Sequence, residues 1–175
     1  MQRAQDAGVT HMLITGSDVA HSHTALKLAQ QYPALLRSTA GVHPHHAKEL
    51  HETDLPLLRS LINEPLVSAV GECGLDYFRN FSTPEQQEKA FRWQLELAVE
   101  SGKPVFLHER DAHEQFTNIL GEYLPSISGA VAHCFTGTVE QVKRYLDMGL
   151  YIGVTGWICD ERRGQALREA VREIP

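Results

Sequence analysis

The sequence has no long apolar run, few cysteines and no excess of basic residues. It has no stretch of about 18 consecutive apolar residues, which argues against a membrane-spanning helix. The N-terminal residues also lack the apolar centre of a signal peptide, so we expect a cytoplasmic protein with no membrane partner. The three cysteines form no Cys-x-x-Cys pair, which predicts neither a disulfide framework nor a cysteine zinc site.

The charge balance bears on which partners are expected. There are 16 basic and 22 acidic residues, giving a formal net charge of −6, which argues against a broad basic face for nucleic acid. Any contact with phosphate must therefore be local, through a metal ion or a few arginines. With 42% apolar content, the 175 residues are enough for one domain with a core, so we predict a single domain over 1–175.

Short apolar runs rich in β-branched residues alternate with longer amphipathic runs, which is typical of repeated βα units. We predict strands at residues 12–15, 38–42, 67–72, 104–108, 130–133 and 151–155. We predict helices at residues 1–8, 24–31, 84–100, 112–120, 139–148 and 164–173. The strands near Val67 and Pro104 are continuously apolar, as expected when both faces of a strand are buried.

This alternation predicts an α/β fold with a parallel sheet, and specifically a TIM-barrel-like (β/α) arrangement. About six units are counted, whereas a closed barrel has eight and typically about 250 residues. The sequence opens in a predicted helix and closes at a helix end, so we expect an incomplete barrel. A flavodoxin-like open sheet, which needs no further strands, is the structural alternative.

Three predicted strands end in side chains that can bind metal: Glu72, His108 and His133. Parallel barrel strands point their C-terminal ends at one face, so these groups can converge on one divalent cation. Each alone has an ordinary explanation, a surface glutamate or a histidine bonded to a carbonyl. Together they favour zinc or manganese, with magnesium as a further candidate. Cys73 and Cys134 flank the proposed ligands and are interpreted as packing residues.

The neighbouring sequence predicts different roles for the other histidines. His43 ends a strand in the run GVHPHH at 41–46 and could contact substrate or transfer a proton. His45 and His46 are adjacent and are expected to be solvated loop residues. His21 and His23 precede a helical pattern, so we interpret them as exposed imidazoles at a helix N-terminus.

Arginines follow several predicted strands, where phosphate-binding residues are expected in a barrel. Arg79 and Arg110 are the candidates for binding substrate, and Arg162 and Arg163 occupy a later loop. The ordinary alternative for each of them is an exposed surface arginine with no role in binding.

Several segments resemble TatD-type deoxyribonucleases, which are metal-dependent hydrolases of the amidohydrolase-like barrel class. The segments are TAGVHPH at 39–45, VGECGLD at 70–76, NFSTPE at 80–85, AHCFTG at 132–137 and IGVTGW at 152–157. The resemblance covers essentially the whole chain, and the run CDERRG at 159–164 is most similar to the TatD subgroup.

The resemblance implies specific roles for these residues. It implies that Glu72 binds metal, bridging two ions, that His108 and His133 complete one site, and that His43 lies near substrate. It also implies hydrolysis of DNA phosphodiesters, mainly as a 3′-to-5′ exonuclease on single-stranded ends, with roles in DNA degradation and repair.

The sequence also departs from the family pattern. A first strand with a His-x-His pair and a last strand with a metal-binding aspartate have no counterpart in it, and His-Cys-Arg is replaced by His108-Glu109-Arg110. Open sheet edges invite pairing with another copy. The alternatives are therefore a catalytically impaired fragment that binds metal or oligomerises, and a hydrolase of small amides or esters on the same barrel.

Overall fold

A computed structural model describes residues 1–162 and 164–175, so Arg163 lies outside the described residues. Six strands alternate with helices along the described chain. The strands are β1 (Met12–Ile14), β2 (Leu36–Ala40), β3 (Val67–Asp76), β4 (Val105–Arg110), β5 (Ala130–Ala132) and β6 (Tyr151–Ile152). The α-helices are α1 (Gln2–Asp6), α2 (Val19–Gln31), α3 (Leu55–Ile62), α4 (Pro84–Ser101), α5 (His113–Tyr123), α6 (Val139–Asp147) and α7 (Gln165–Val171).

All five strand pairings are parallel, and the strands follow chain order from β1 to β6. A flavodoxin-like sheet reverses its strand order part-way across, and this sheet does not. Right-handed crossovers that always step in one direction place every helix on the same face of the sheet. The fold is thus a six-stranded arc of a TIM-like barrel, as the α/β pattern predicted.

Helix α4 shows how local sequence sets an element. Thr83 caps it by accepting from the backbone N–H of Gln86, and Pro84 fits the first turn, where no N–H is needed. Phe91 and Leu95 are fully buried one turn apart. Gly102 ends the helix in the left-handed conformation with φ 66°, as the glycine there predicted.

The core lies between the sheet and the helices. One large apolar cluster includes Phe91, Phe116 and Tyr145, all essentially buried, and the Cys73 thiol packs inside it. The prediction that the whole chain forms one domain stays a prediction. No α-helix among the described residues is both long and apolar enough to cross a membrane.

The sequence predictions missed one helix and placed the end of strand β3 too early. Helix α3 was not predicted, although Leu58, Leu61 and Ile62 recur at helical spacing and are buried. Strand β3 runs four residues beyond its predicted end at Glu72. The glycine at position 74 reads as a strand breaker in the sequence, whereas in the sheet it permits a close approach of β4. As predicted, His21 and His23 are exposed in the first turns of α2.

Candidate metal centre

Glu72 lies at a bulge in β3. Gly71 pairs with Phe106 and Cys73 pairs with Leu107, so Glu72 is the extra residue between two consecutive partners on β4. Its backbone N–H donates instead to the carbonyl of Gly16, at 2.9 Å. A bulge redirects a side chain and is common beside active sites. Here it turns the partly buried carboxylate of Glu72 out of a largely buried central strand, toward the C-terminal side of the sheet.

Two glycines let β4 approach β3 on either side of this carboxylate. Gly71 and Gly74 have φ of 134° and 141°, a region that side chains avoid. A Cβ on Gly71 would collide with the carbonyl of Phe106, and one on Gly74 with the carbonyl of His108. Gly74 is also the direct partner of His108 in the ladder. The missing side chain leaves room for the His108 backbone beside β3.

His108 bridges two carboxylates of β3. Its Nδ1 lies 3.2 Å from Oε1 of Glu72, and its Nε2 lies 3.2 Å from Oδ2 of Asp76. The Nε2 of His43 lies 3.6 Å from the same Glu72 oxygen. His43, Glu72 and His108 can each offer one ligand atom, and the three atoms lie within 4.8 Å of one another.

Asp76 is a site residue that sequence reasoning missed. Its carboxylate is 1% exposed, accepts from His45 and His108 through Oδ2, and accepts the backbone N–H groups of Phe78 and Arg79 through Oδ1. The signal was its spacing, because residues 72, 74 and 76 share one face of a strand. That signal required β3 to continue past Glu72.

The expectation that His45 is a solvated loop residue was wrong. Its Nε2 lies 2.7 Å from Asp76, and its ring meets the rings of His43 and Phe81 edge-on. The reason is a 3₁₀ turn at Pro44–Glu49, which folds the His45 ring back over the strand ends. His46 points elsewhere, 3.4 Å from Glu49 near the surface, as expected for a loop residue.

Two buried glutamines of α4 fix the backbone of the site. Gln87 accepts from the N–H of Asp76 at 2.7 Å and donates to the carbonyls of Asp76 and Ser82. Gln94, two turns later, accepts from the N–H of Val42 at 2.7 Å and donates to its carbonyl. A buried polar backbone group needs a hydrogen-bond partner, and these two side chains provide partners for the backbone groups of Asp76 and Val42.

The charges of the cluster are strongly coupled. Burial by itself would raise the pKa of Glu72 and of Asp76. A hydrogen bond from His108 and the charges of nearby histidines lower the pKa of Glu72. Hydrogen bonds from His108, from the Arg79 backbone N–H and from His45 lower the pKa of Asp76. Burial lowers the pKa of His43 to about 4, assisted by its neighbour His108. Burial also opposes the charge on His108, yet its two carboxylate partners raise its pKa to about 9. The metal-free cluster thus holds an imidazolium between two carboxylates.

His133 lies beside this cluster and outside the group of three. Its backbone N–H continues the ladder to Leu107, and its ring stacks on Phe106 with centroids 4.5 Å apart. It is near enough to Glu72 to help lower the pKa of that carboxyl. The role of His133 as a ligand stays a prediction.

Neither predicted arginine touches the cluster by its guanidinium. Arg110 lies over the ring of Phe78, 3.8 Å from its centroid, and Arg79 lies 5.8 Å from the same centroid. Arg79 follows the end of β3, as the sequence predicted, whereas Arg110 is the last residue of β4, which runs two residues beyond its predicted end at His108. Their role in binding substrate stays a prediction.

The extra carboxylate at Glu109 points away from the cluster. One of its oxygens accepts from the Tyr145 hydroxyl at 2.8 Å, and the other accepts the backbone N–H of Ala112 at 2.8 Å. Successive strand residues face opposite sides of the sheet, so Glu109 faces α6 while His108 faces the site. The departure from the family pattern therefore adds a packing contact, and it adds no oxygen to the group of three.

The donor set fits a divalent cation. One carboxylate and two imidazoles converge in a half-buried position, which suits zinc or manganese and tolerates related ions. Asp76 backs His108 in the manner of the carboxylates that orient histidine ligands. The backbone around the site is also constrained, since Asn80, Asp111 and Cys134 have φ of 49°, 54° and 50° in the loops that follow β3, β4 and β5.

Comparison with known proteins agrees with this geometry. Residues 1–175 match the family described as TatD related DNase. The chain belongs to this family. A relative from Erwinia tasmaniensis named 3′-5′ ssDNA/RNA exonuclease TatD is 55% identical over 175 residues, which is the whole chain and 68% of that relative. A protein of the same name from Salmonella typhimurium is 52% identical and is covered to 66%.

Solved structures show the same fold. YJJV, a TatD homolog from Escherichia coli K12, superposes with a TM-score of 0.90 at 31% identity, covering 99% of this chain and 67% of that one. A TatD family hydrolase from Entamoeba histolytica gives 0.89 at 32% identity, with 99% and 60% covered. This TatD-family chain thus corresponds to 60–68% of the length of these four proteins.

Proposed function

We propose that this chain, with a divalent metal ion, hydrolyses phosphodiester bonds at the 3′ ends of single-stranded DNA or RNA. The observation that carries the proposal is the Glu72–His108 pair, which lies in contact near the C-terminal ends of β3 and β4 in a TatD-family chain. The names of the curated relatives supply the substrate class. DNA ends are the substrate that the sequence predicted, and RNA is added from those names.

Glu72 and His108 are the proposed metal ligands. Asp76 faces Nε2 of His108, so this nitrogen keeps its proton when the ring loses the other one. The lone pair of Nδ1 is then free on the side of Glu72, where the second ligand lies. Asp76 therefore selects the tautomer of His108 that can bind a cation. His133 is proposed as a further ligand, in accord with its place at the next strand end.

His43 has a different proposed role. Its Nδ1 accepts the backbone N–H of His45 at 3.1 Å, so the neutral ring carries its proton on Nε2. While this bond is kept, neither nitrogen of the neutral ring offers a metal ion a free lone pair, which leaves Glu72 and His108 as the ligands from the group of three. Nε2 of His43 faces the Glu72 oxygen, so we propose that it donates a hydrogen bond to the substrate phosphate or transfers a proton there.

When bound, the metal ion would polarise a phosphoryl oxygen and lower the pKa of a coordinated water. The residues of the chain orient the phosphate and hold the protons described above. Manganese and zinc suit a carboxylate with histidine ligands, and magnesium is a further candidate. With a net charge of −6, the chain needs local cationic contacts to the strand, for which we propose Arg79 and Arg110.

The test is release of mononucleotides from a 3′-labelled single-stranded oligonucleotide, with magnesium or manganese added. Wild-type chain is compared with Glu72→Gln and with Glu96→Gln, an exposed carboxylate of α4 that serves as the matched control. We expect turnover in the wild type and in the control, and none in Glu72→Gln. An amide or ester substrate turned over in preference to DNA would point to the other hydrolase class.

Catalysis by this chain is itself part of the proposal. Folded, metal-loaded chain that releases no nucleotide would support a non-catalytic fragment that binds metal or oligomerises. Light scattering during the same experiment would report whether copies pair. The cytoplasmic location expected from the sequence stays a prediction.

A further inference from the structure

A cavity of about 500 Å³ opens at the C-terminal ends of the strands, and its wall includes Glu109 and Arg110, which follow His108 along β4. Its lining also comes from the loops after β3, β4, β5 and β6 and includes Phe78, Asp111, Thr138 and Trp157. None of the lining residues belongs to the metal centre or to the proton donors described above. The cavity is large enough for a nucleobase and its sugar.

Phe78 gives this cavity a stacking surface. Phe78 is 54% exposed, two residues beyond the end of the buried strand β3. The Arg110 guanidinium covers the ring at 3.8 Å from the centroid, and the Asp76 carboxylate holds the Phe78 backbone N–H. Single exposed phenylalanines are common at protein surfaces and need no explanation. A ring that is held at its backbone, covered by a guanidinium and placed on a cavity wall is prepared for a planar ligand.

The position of the cavity matches the path of a bound strand. Phe78 follows Asp76 by two residues, and Arg110 follows His108 by two residues. Asp76 and Arg110 are direct partners in the ladder. Two residues along β4 span about 7 Å, so Arg110, whose guanidinium lies over Phe78, is close to His108, a proposed ligand of the metal ion at the scissile phosphate. A base attached at that phosphate can reach this stacking surface without a long linker.

We propose that Phe78 and Arg110 form a nucleobase subsite, in which the base beside the scissile phosphate stacks on the Phe78 ring. This inference rests on the proposed function, because it assumes a single-stranded nucleic acid as the substrate. The aromatic ring supplies binding energy for any base, since every base has a π-face. The subsite therefore favours an unpaired base and discriminates little between the four bases. Duplex ends must fray before the terminal base can enter.

The test is binding of two oligonucleotides that differ only in the terminal base. One carries 2-aminopurine at its 3′ end, and the other carries a tetrahydrofuran abasic residue there. A phosphorothioate at the last linkage slows hydrolysis, so that binding is measured apart from turnover in the metal-loaded chain. Fluorescence quenching of 2-aminopurine reports stacking, and anisotropy of a 5′ dye gives the Kd of both.

Phe78→Ala is expected to weaken binding of the base-bearing strand by about 5- to 100-fold and to remove the quenching. The abasic strand should bind the variant and the wild type within about twofold. Phe78→Trp should restore both quenching and affinity. Tyr32→Ala, an exposed aromatic at the opposite end of the sheet, is the matched control and should change nothing.

Equal losses for both strands, no loss for either, or no binding by the wild type would each overturn the subsite. The proposed function is decided separately, by the nucleotide release that depends on Glu72. Quenching that depends on Phe78 in a chain without turnover would uphold the subsite and reject catalysis. Turnover without any effect of Phe78 on binding would uphold catalysis and reject the subsite.

Discussion

The Oδ2 atom of Asp76 lies 3.2 Å from Nε2 of His108, on the side of the imidazole opposite to Glu72. This contact decides which ring nitrogen is available for a metal ion. Asp76 itself is oriented by two backbone N–H groups and by His45. A single buried carboxylate therefore joins the loop after β3, the loop after β2 and the metal centre.

Asp76→Asn is expected to weaken metal binding by about 10- to 100-fold, because an amide no longer fixes the His108 tautomer by charge. Isothermal titration with manganese or zinc measures the effect. Asp147→Asn, an exposed position at the end of α6, is the control for loss of one negative charge. Equal affinities in Asp76→Asn and the wild type would contradict this role.

Metal affinity should rise with pH between about 6 and 9. In the metal-free chain the pKa of His108 is raised to about 9, so below that pH a cation must displace a proton from the ring. Each binding event then releases a proton, and the proton becomes less costly to remove as the pH approaches 9. Titrations at pH 6, 7 and 8 in two buffers of different ionisation enthalpy measure both quantities. An affinity independent of pH over this range would show that the metal ion displaces no proton from His108.

Gly74→Ala should destabilise the fold by about 1–3 kcal/mol or more, because it forces a side chain into a positive-φ position against the His108 carbonyl. Gly121→Ala is the matched control in α5, where a Cβ meets nothing within 4 Å. That change should stabilise the chain by about 0.5–1 kcal/mol. Urea unfolding of the two variants should thus give shifts of opposite sign. Shifts of the same sign would be inconsistent with the close approach at Gly74.

Gln94→Met should cost about 1–3 kcal/mol for each backbone group of Val42 that loses its partner. The side chains are similar in size, so the loss reflects hydrogen bonding more than a cavity. Gln30→Met, exposed on α2, is the control and should change stability little. Because Val42 precedes His43, Gln94→Met should also lower turnover in the nucleotide-release assay. Unchanged unfolding would mean that water replaces the amide.

The residues that the sequence identified lie near the C-terminal ends of the strands, with Glu72 four residues before the last residue of β3 and His108 two residues before the last residue of β4. Apolar runs capped by Glu72, His108 and His133 predicted convergence at one end of a parallel sheet, and the first two of these lie in contact. The residues that sequence reasoning missed, Asp76 and His45, depend on the chain path after the predicted strand end. Strand β3 continues through Gly74, and the turn that begins at Pro44 folds back over the strand ends. Packing against neighbouring segments sets both features.

What the sequence by itself determined is the order of the strands and of the helices other than α3, because side-chain periodicity and caps act locally. It also determined which strands carry groups able to bind metal near their C-terminal ends. Only the tertiary structure decided the bulge that turns Glu72 toward the site, the pairing of Gly74 with His108 and the tautomers of the histidines. These depend on register between strands and on partners from distant segments, and a one-residue shift in register would undo them.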